Sequence, residues 1–185
     1  ALPGAFTKGD GPRLTNTACE RGIDERRLMR GDVISLSDGL TLEVLHPPAR
    51  GRFSSNNGSL VLRLVRNGEG LALFCGDAER SALKRILRSG APLQAHVLVL
   101  PHHGSVSSLL PEFYDAVHPE TALISSGSYN NFSFPHPDVL AALKERGIPV
   151  FNTAECGEIR LSWTGESRSP SLRFGRQGTT WIGPG

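Results

Sequence analysis

The 185-residue chain is poor in cysteine and in aromatic rings, and no long stretch of it is strongly apolar or strongly charged. Its three cysteines, Cys19, Cys75 and Cys156, are odd in number and widely spaced, and no Cys-x-x-Cys pair occurs. That excludes a thiolate zinc knot and argues against a disulfide framework. Cys75 closes an apolar run, 71–75, and reads as a small buried hydrophobe. No apolar run approaches the roughly 20 residues of a membrane-spanning helix. The longest, 97–101, has the length of a strand. The first residues lack the basic-then-apolar pattern of a signal peptide. Neither sign of charge dominates: the net charge is +2, too mild to argue nucleic-acid binding by itself. Arg80, Lys84, Arg85 and Arg88 cluster, and read as one solvated helix face. No glycine-rich phosphate loop follows any strand-like run, which counts against a plain nucleotide-binding α/β fold.

Turn-formers, by contrast, are plentiful. With 21 Gly and 13 Pro the chain cannot be a coiled coil and must turn often. Its length suits one domain, or a domain with a tail. Residues 1–30 are weakly patterned, with a short helix expected near 16–21. From Gly31 the pattern sharpens. Strands are expected at 33–36 and 40–45 around Ser37-Asp38-Gly39, followed by turn-formers without regular structure over 46–57. Over 59–66, Leu60, Leu62 and Leu64 face one way, and Val61, Arg63 and Val65 the other. Asn67-Gly68-Glu69-Gly70 marks a hairpin, and 71–75 returns. The character then changes to strand–helix alternation. Helices are expected at 77–89 (Ala78, Ala82, Ile86 and Leu87 inward), 111–117 and 137–146, the last two opened by proline. Strands are expected at 96–100, 121–125, 149–151 and 158–163. Residues 164–185 read as a tail carrying one further strand, 171–174. Antiparallel strands followed by βα alternation imply layered α and β structure.

Two strand ends share one geometry. Phe74-Cys75-Gly76-Asp77 ends an apolar strand in glycine and a carboxylate. Val99-Leu100-Pro101-His102-His103-Gly104-Ser105 ends another in proline and two histidines. Open α/β sheets place their sites beyond such carboxyl ends, and an Asp oxygen and a neutral imidazole are ordinary ligands for zinc or manganese. Asp77 alone would read as a helix cap; two adjacent histidines alone could be a solvated turn. Their coincidence points to a metal site. The loop 127–137 is long, aromatic and rich in amides, and could line a substrate cleft with Tyr129 and Asn130. His136 either caps the helix that follows or serves a metal or phosphate. His46, His96 and His118 read as structural.

These residues resemble the metallo-β-lactamase superfamily, and most closely the carboxyl-terminal domain of ComEC-type DNA-internalisation competence proteins. The resemblance is carried by Val44-Leu45-His46-Pro47, Asn56-Asn57-Gly58-Ser59, Gly76-Asp77, Pro101-His102-His103-Gly104-Ser105, Asn130, His136-Pro137, Asn152-Thr153 and Gly157-Glu158-Ile159, within 31–163. It implies an αββα sandwich with a dinuclear site at one edge, here mainly its carboxyl-terminal half. Two divalent ions, zinc or manganese, are implied, with Asp77 bridging them and His102 holding one. His103 and His136 would serve as outer or phosphate-contacting groups, with Asn57, Ser59, Ser105, Tyr129 and Asn130 on the substrate side. Asn57 and Ser59 lie where several superfamily members carry a further histidine. His96 stands where the family often has Asp, and Leu100 where Lys is usual. The superfamily's His-x-His-x-Asp-His string does not occur. The expectation is therefore a piece of a larger domain, with residues 1–30 following its first half, weakly metallated and inactive alone, and able to dimerise through unpaired strands. The implied substrate is a phosphodiester, single-stranded DNA during uptake. The implied setting is a polytopic bacterial inner-membrane protein, with this domain on the extracytoplasmic face. The competing readings are a non-catalytic nucleic-acid or protein-binding module, and a superfamily hydrolase of another ester.

Overall fold

The computed structural model describes residues 11–175 other than 38, 52, 54, 166 and 168. Helix α1 (Gly11–Glu20) comes first, then strands β1 (Val33–Ser37), β2 (Leu40–His46), β3 (Val61–Arg66) and β4 (Glu69–Phe74). Helix α2 (Arg80–Arg88), β5 (Val97–Val99), α3 (Pro111–Val117), β6 (Thr121–Ile124), α4 (Pro137–Glu145) and β7 (Val150–Asn152) follow in alternation. A short α5 (Thr153–Cys156) leads to β8 (Ile159–Ser162) and β9 (Ser171–Phe174). Strands β1 to β7 form one sheet in sequence order. The first four are antiparallel, and β4 to β7 run parallel. Strands β8 and β9 form a separate antiparallel pair.

The change from hairpins to crossovers follows from the linkers. The two-residue Asn67-Gly68 connection, with both residues at positive φ, folds β4 straight back on β3. From β4 onward each linker carries a helix, which returns the chain to the same end of the sheet and makes the next strand parallel.

Alternation along the strands sorts side chains into two cores. Leu73 and Cys75, Leu98, and Ala122 and Ile124 face the helices, where they meet Leu83, Ile86, Phe113, Tyr114 and Leu143. Ala72, Val97 and Leu123 face the opposite way, against Leu172 and the β8–β9 pair. The central strands are thus buried on both faces, as their unbroken apolar runs require. Burying one such Leu or Phe side chain contributes about 1.5–3 kcal/mol. Arg80, Lys84, Arg85 and Arg88 do form the exposed face of α2.

Two local expectations are corrected. Helix α2 starts at Arg80, not 77, because Gly76 at φ +52° and an Ala78 N–H···O=C Cys75 bond (3.2 Å) make a turn of residues 75–78. Residues 46–57 are not wholly irregular: Asn56–Gly58 make one 3₁₀ turn. The 111–117 helix and the 171–174 strand have the expected bounds.

Candidate active site

The parallel strands deliver their polar ends to one edge. Asp77 follows β4, His102 and His103 follow β5, and Ser125 to Gly127 follow β6. They line a cleft of about 410 Å³, closed on one side by Asn130, Phe132 and Phe134. The first two turns are tied together, since the His102 N–H donates to the Gly76 carbonyl at 2.8 Å.

His102 and His103 both sit at positive φ, +49° and +55°. Positive φ is uncommon for residues other than Gly, with His among those that adopt it, and such residues cluster at functional sites. The turn aims both rings into the cleft. His103 donates Nδ1–H to the Ser125 carbonyl at 2.7 Å, so its neutral ring carries the lone pair on Nε2. That Nε2 stands 3.4 Å from Asp77 Oδ1. His102 is more enclosed. Its Nδ1 lies 3.1 Å from Ser107 Oγ, which donates to Glu79 Oε1 at 3.4 Å. Glu79 is itself held by Asn56 Nδ2 at 3.2 Å and Asn57 Nδ2 at 2.9 Å. In both rings Nδ1 is spent on the protein. This is the arrangement of histidines whose Nε2 faces a metal or substrate.

The other expected residues fall in three places. Ser59 lies beneath Asp77, its Oγ accepting the Asp77 N–H at 3.2 Å. Asn57 lies beneath α2, its Oδ1 accepting the Ala82 N–H at 3.1 Å while its amide holds Glu79. Ser105 is buried and accepts the Ser107 N–H at the start of the Val106–Ser108 turn. Asn130 lines the cleft, but its amide is committed to its own loop: Nδ2 donates to the Gly127 and Phe134 carbonyls, and Oδ1 accepts from Phe134 N. Tyr129 is fully exposed. His136 is outside the cleft lining and takes the capping role, its Nδ1 accepting the Asp138 N–H at 3.2 Å on α4.

The sequence reading missed Glu79, Ser107, Phe132 and Phe134. Glu79 follows Asp77 by two residues at the cap of α2, and its polar surroundings come from a segment more than 20 residues upstream. Phe132-x-Phe134 was visible only as part of an aromatic loop. Among the described residues no group of three or more His, Cys, Asp or Glu is placed to hold a metal ion. The side chains that line the cleft, the Asp77 carboxylate and the His102 and His103 imidazoles, are of the chemistry that divalent cations take.

The fold is a mixed α/β sheet that gathers a carboxylate and two imidazoles at one edge. No protein-family model matches the chain. Its relatives include a competence protein. It is 35% identical over 151 residues to ComE operon protein 3 of Bacillus subtilis, covering 82% of this chain and 19% of that protein. It is 36% identical over 125 residues to Competence protein ComA of Neisseria gonorrhoeae, covering 67% of this chain and 18% of that one. A solved metallo hydrolase, Igni18 of Ignicoccus hospitalis, aligns with a TM-score of 0.48 and 16% identity over 75% of this chain and 61% of its own. The chain is homologous to one segment of the ComEC-type competence proteins. It spans about a fifth of the length of the curated relatives it matches.

Proposed function

We propose that the chain contributes part of a metal-dependent phosphodiesterase site, a nuclease acting on single-stranded DNA during its uptake. The observation that carries this reading is the convergence of Asp77, His102 and His103 in one cleft, in a chain homologous to competence proteins. Divalent cations at such a site polarise a phosphodiester and lower the pKa of water. The chain's own residues do the rest. Asp77 and the Nε2 atoms of His103 and His102 are the donors that would hold a cation. The Ser125 carbonyl fixes the His103 tautomer, and the Ser107–Glu79 pair fixes His102. With Nδ1 anchored, a ring whose Nε2 holds no cation can take a proton only there, where it would stabilise negative charge developing on a phosphate or protonate the leaving oxygen.

Three donor residues are fewer than two cations need. The reading therefore takes the remaining ligands from outside the described residues and expects little cleavage by this chain alone. No helix among the described residues is long and apolar enough to cross a membrane. The setting proposed, an extracytoplasmic domain of a polytopic membrane protein, rests on the homology to ComEC-type proteins. The outer edge of β1, with Val33 and Leu36 exposed, would pair with a neighbouring strand of the whole protein or of a second copy. Light scattering that gives a monomer at all concentrations would remove the second copy.

The test is a manganese-dependent cleavage assay on labelled single-stranded DNA, run on this chain beside the longer protein. Cleavage by the longer protein, lost with Asp77→Ala and His103→Ala, is expected. Metal-independent DNA binding without cleavage by the longer protein would favour a binding module, and activity on small esters alone another hydrolase.

A further inference from the structure

The aromatic loop builds a ladder of rings into the site. Phe132 stacks on Phe134 with centroids 5.5 Å apart and planes 18° from parallel. Phe134 stacks in turn on His103 at 6.2 Å and 25°, and tilts against His102 at 5.6 Å. The outermost ring, Phe132, is 75% exposed. The ladder is braced from below. Asn130 clamps Phe134 through both its N–H (2.7 Å) and its carbonyl (2.8 Å). Gly104, at φ +78°, lets Pro135 approach so closely that a Cβ there would lie 2.8 Å from Pro135 Cβ. A large exposed ring whose partner rings are this well fixed offers a flat apolar face at little ordering cost.

We propose that Phe132 is a stacking platform for a nucleobase of single-stranded nucleic acid, and that it positions the neighbouring phosphodiester at Asp77 and His103. This rests on the phosphodiesterase reading. The argument for a nucleobase is the sequence of surfaces along the cleft: parallel rings first, then imidazoles and a carboxylate. A ligand matched to it carries a flat π-face beside an anionic ester, as a nucleotide does. Base–aromatic stacking tolerates any base, as a strand-processing site requires. The nearly neutral charge of the chain gives stacking a larger share of binding than phosphate contacts alone would have.

The experiment compares a labelled single-stranded oligonucleotide with an abasic strand of the same length, binding to the 185-residue chain at fixed salt, by fluorescence anisotropy. The base-bearing strand is expected to bind about tenfold tighter, in line with one base–aromatic stack. Phe132→Ala should abolish that difference while leaving the abasic strand unaffected, and Phe132→Trp should restore it. Equal binding of the two strands, or no effect of Phe132→Ala on an unchanged melting curve, overturns the platform. If His103→Ala still weakens both strands in that case, the phosphodiesterase reading survives it. If neither strand binds, or a Trp-bearing peptide binds at Phe132 instead, the platform falls; absence of binding removes the DNA reading with it.

Discussion

Strand β5 has a histidine near each end, and the two are used in opposite ways. At the amino end His96 has both ring nitrogens taken by carboxylates, Nδ1 by Glu120 at 2.9 Å and Nε2 by Glu69 at 3.0 Å. Its side chain is 17% exposed. At the carboxyl end His103 has one nitrogen on a carbonyl and the other 3.4 Å from Asp77, and it is 46% exposed. The first is a closed contact that joins β4, β5 and the start of β6. The second is an open one, with a lone pair directed into a cleft. A histidine with full partners at short distance on both nitrogens holds structure together. One with a fixed Nδ1 and a loosely met Nε2 is available for chemistry.

Exchanging the two ends in a mutational experiment should break this symmetry most visibly in activity. In the longer protein, His103→Ala is expected to lower DNA cleavage by at least about 100-fold, the scale of losing a metal ligand or general acid. His96→Gln should leave the rate within about threefold. A comparable loss from both variants would mean that His96 is not structural. Glu79→Ala should have an intermediate effect. It removes the carboxylate behind Ser107 and His102, and outer partners of this kind are worth about 10–100-fold. A change in metal dependence that exceeds any change in melting temperature would identify Glu79 as a positioning residue.

The same contrast marks what the sequence could reveal. The carboxyl-end site was legible because its groups follow recognisable strands: Gly76-Asp77 after β4 and His102-His103 after β5 are contiguous in sequence and adjacent in the sheet. The strands were legible for the same reason, in period-2 alternation and in apolar runs ended by Gly or Pro; that seven of them join in one sheet, with β8 and β9 apart, was not. Glu79 was not legible, because its partners Asn56, Asn57 and Ser107 come from two distant segments and only tertiary contact makes a carboxylate at a helix cap into a histidine support. Asn57 drew attention as a stand-in for a ligand. In the fold its amide is consumed in capping α2 and holding Glu79. His136 had two readings on composition, and the geometry of α4 supplies the capping one. The His96 bridge was hidden too, since Glu69 and Glu120 lie 27 and 24 residues away.

Stability should order the two ends the other way. His96→Gln removes one of two cross-strand contacts. Because Glu69 and Glu120 are more than a third exposed, solvent discounts the loss to about 1 kcal/mol, or about 2–4 °C in melting temperature. His103→Ala should melt within about 1 °C of the parent, because alanine keeps the same left-handed backbone and the half-exposed ring gives up a single hydrogen bond, to the Ser125 carbonyl, that water replaces. Thermal melts of both variants decide this, and a larger drop for His103→Ala would reverse the assignment of roles.

His46 sharpens the comparison from inside the protein. It ends β2 with its Nδ1 donating to the Ser59 carbonyl at 3.1 Å, while its buried Nε2 has no partner among the described residues. Burial pushes its pKa below the usual histidine value, aided by the positive charges of Arg85 and Arg30 and opposed by the Ser59 bond. The folded state therefore binds the proton less readily than the unfolded chain, whose histidine titrates near 6.5. The stability at stake is complete above pH 6.5 and declines as the pH falls below it, by at most about 1.4 kcal/mol per pH unit until the folded-state pKa is reached. His46→Asn, neutral throughout, should start lower at pH 8 and lose this limb. Denaturant titrations at pH 8, 6 and 5 test it. If the variant and parent lose stability in parallel, His46 is not the group that charges on acidification.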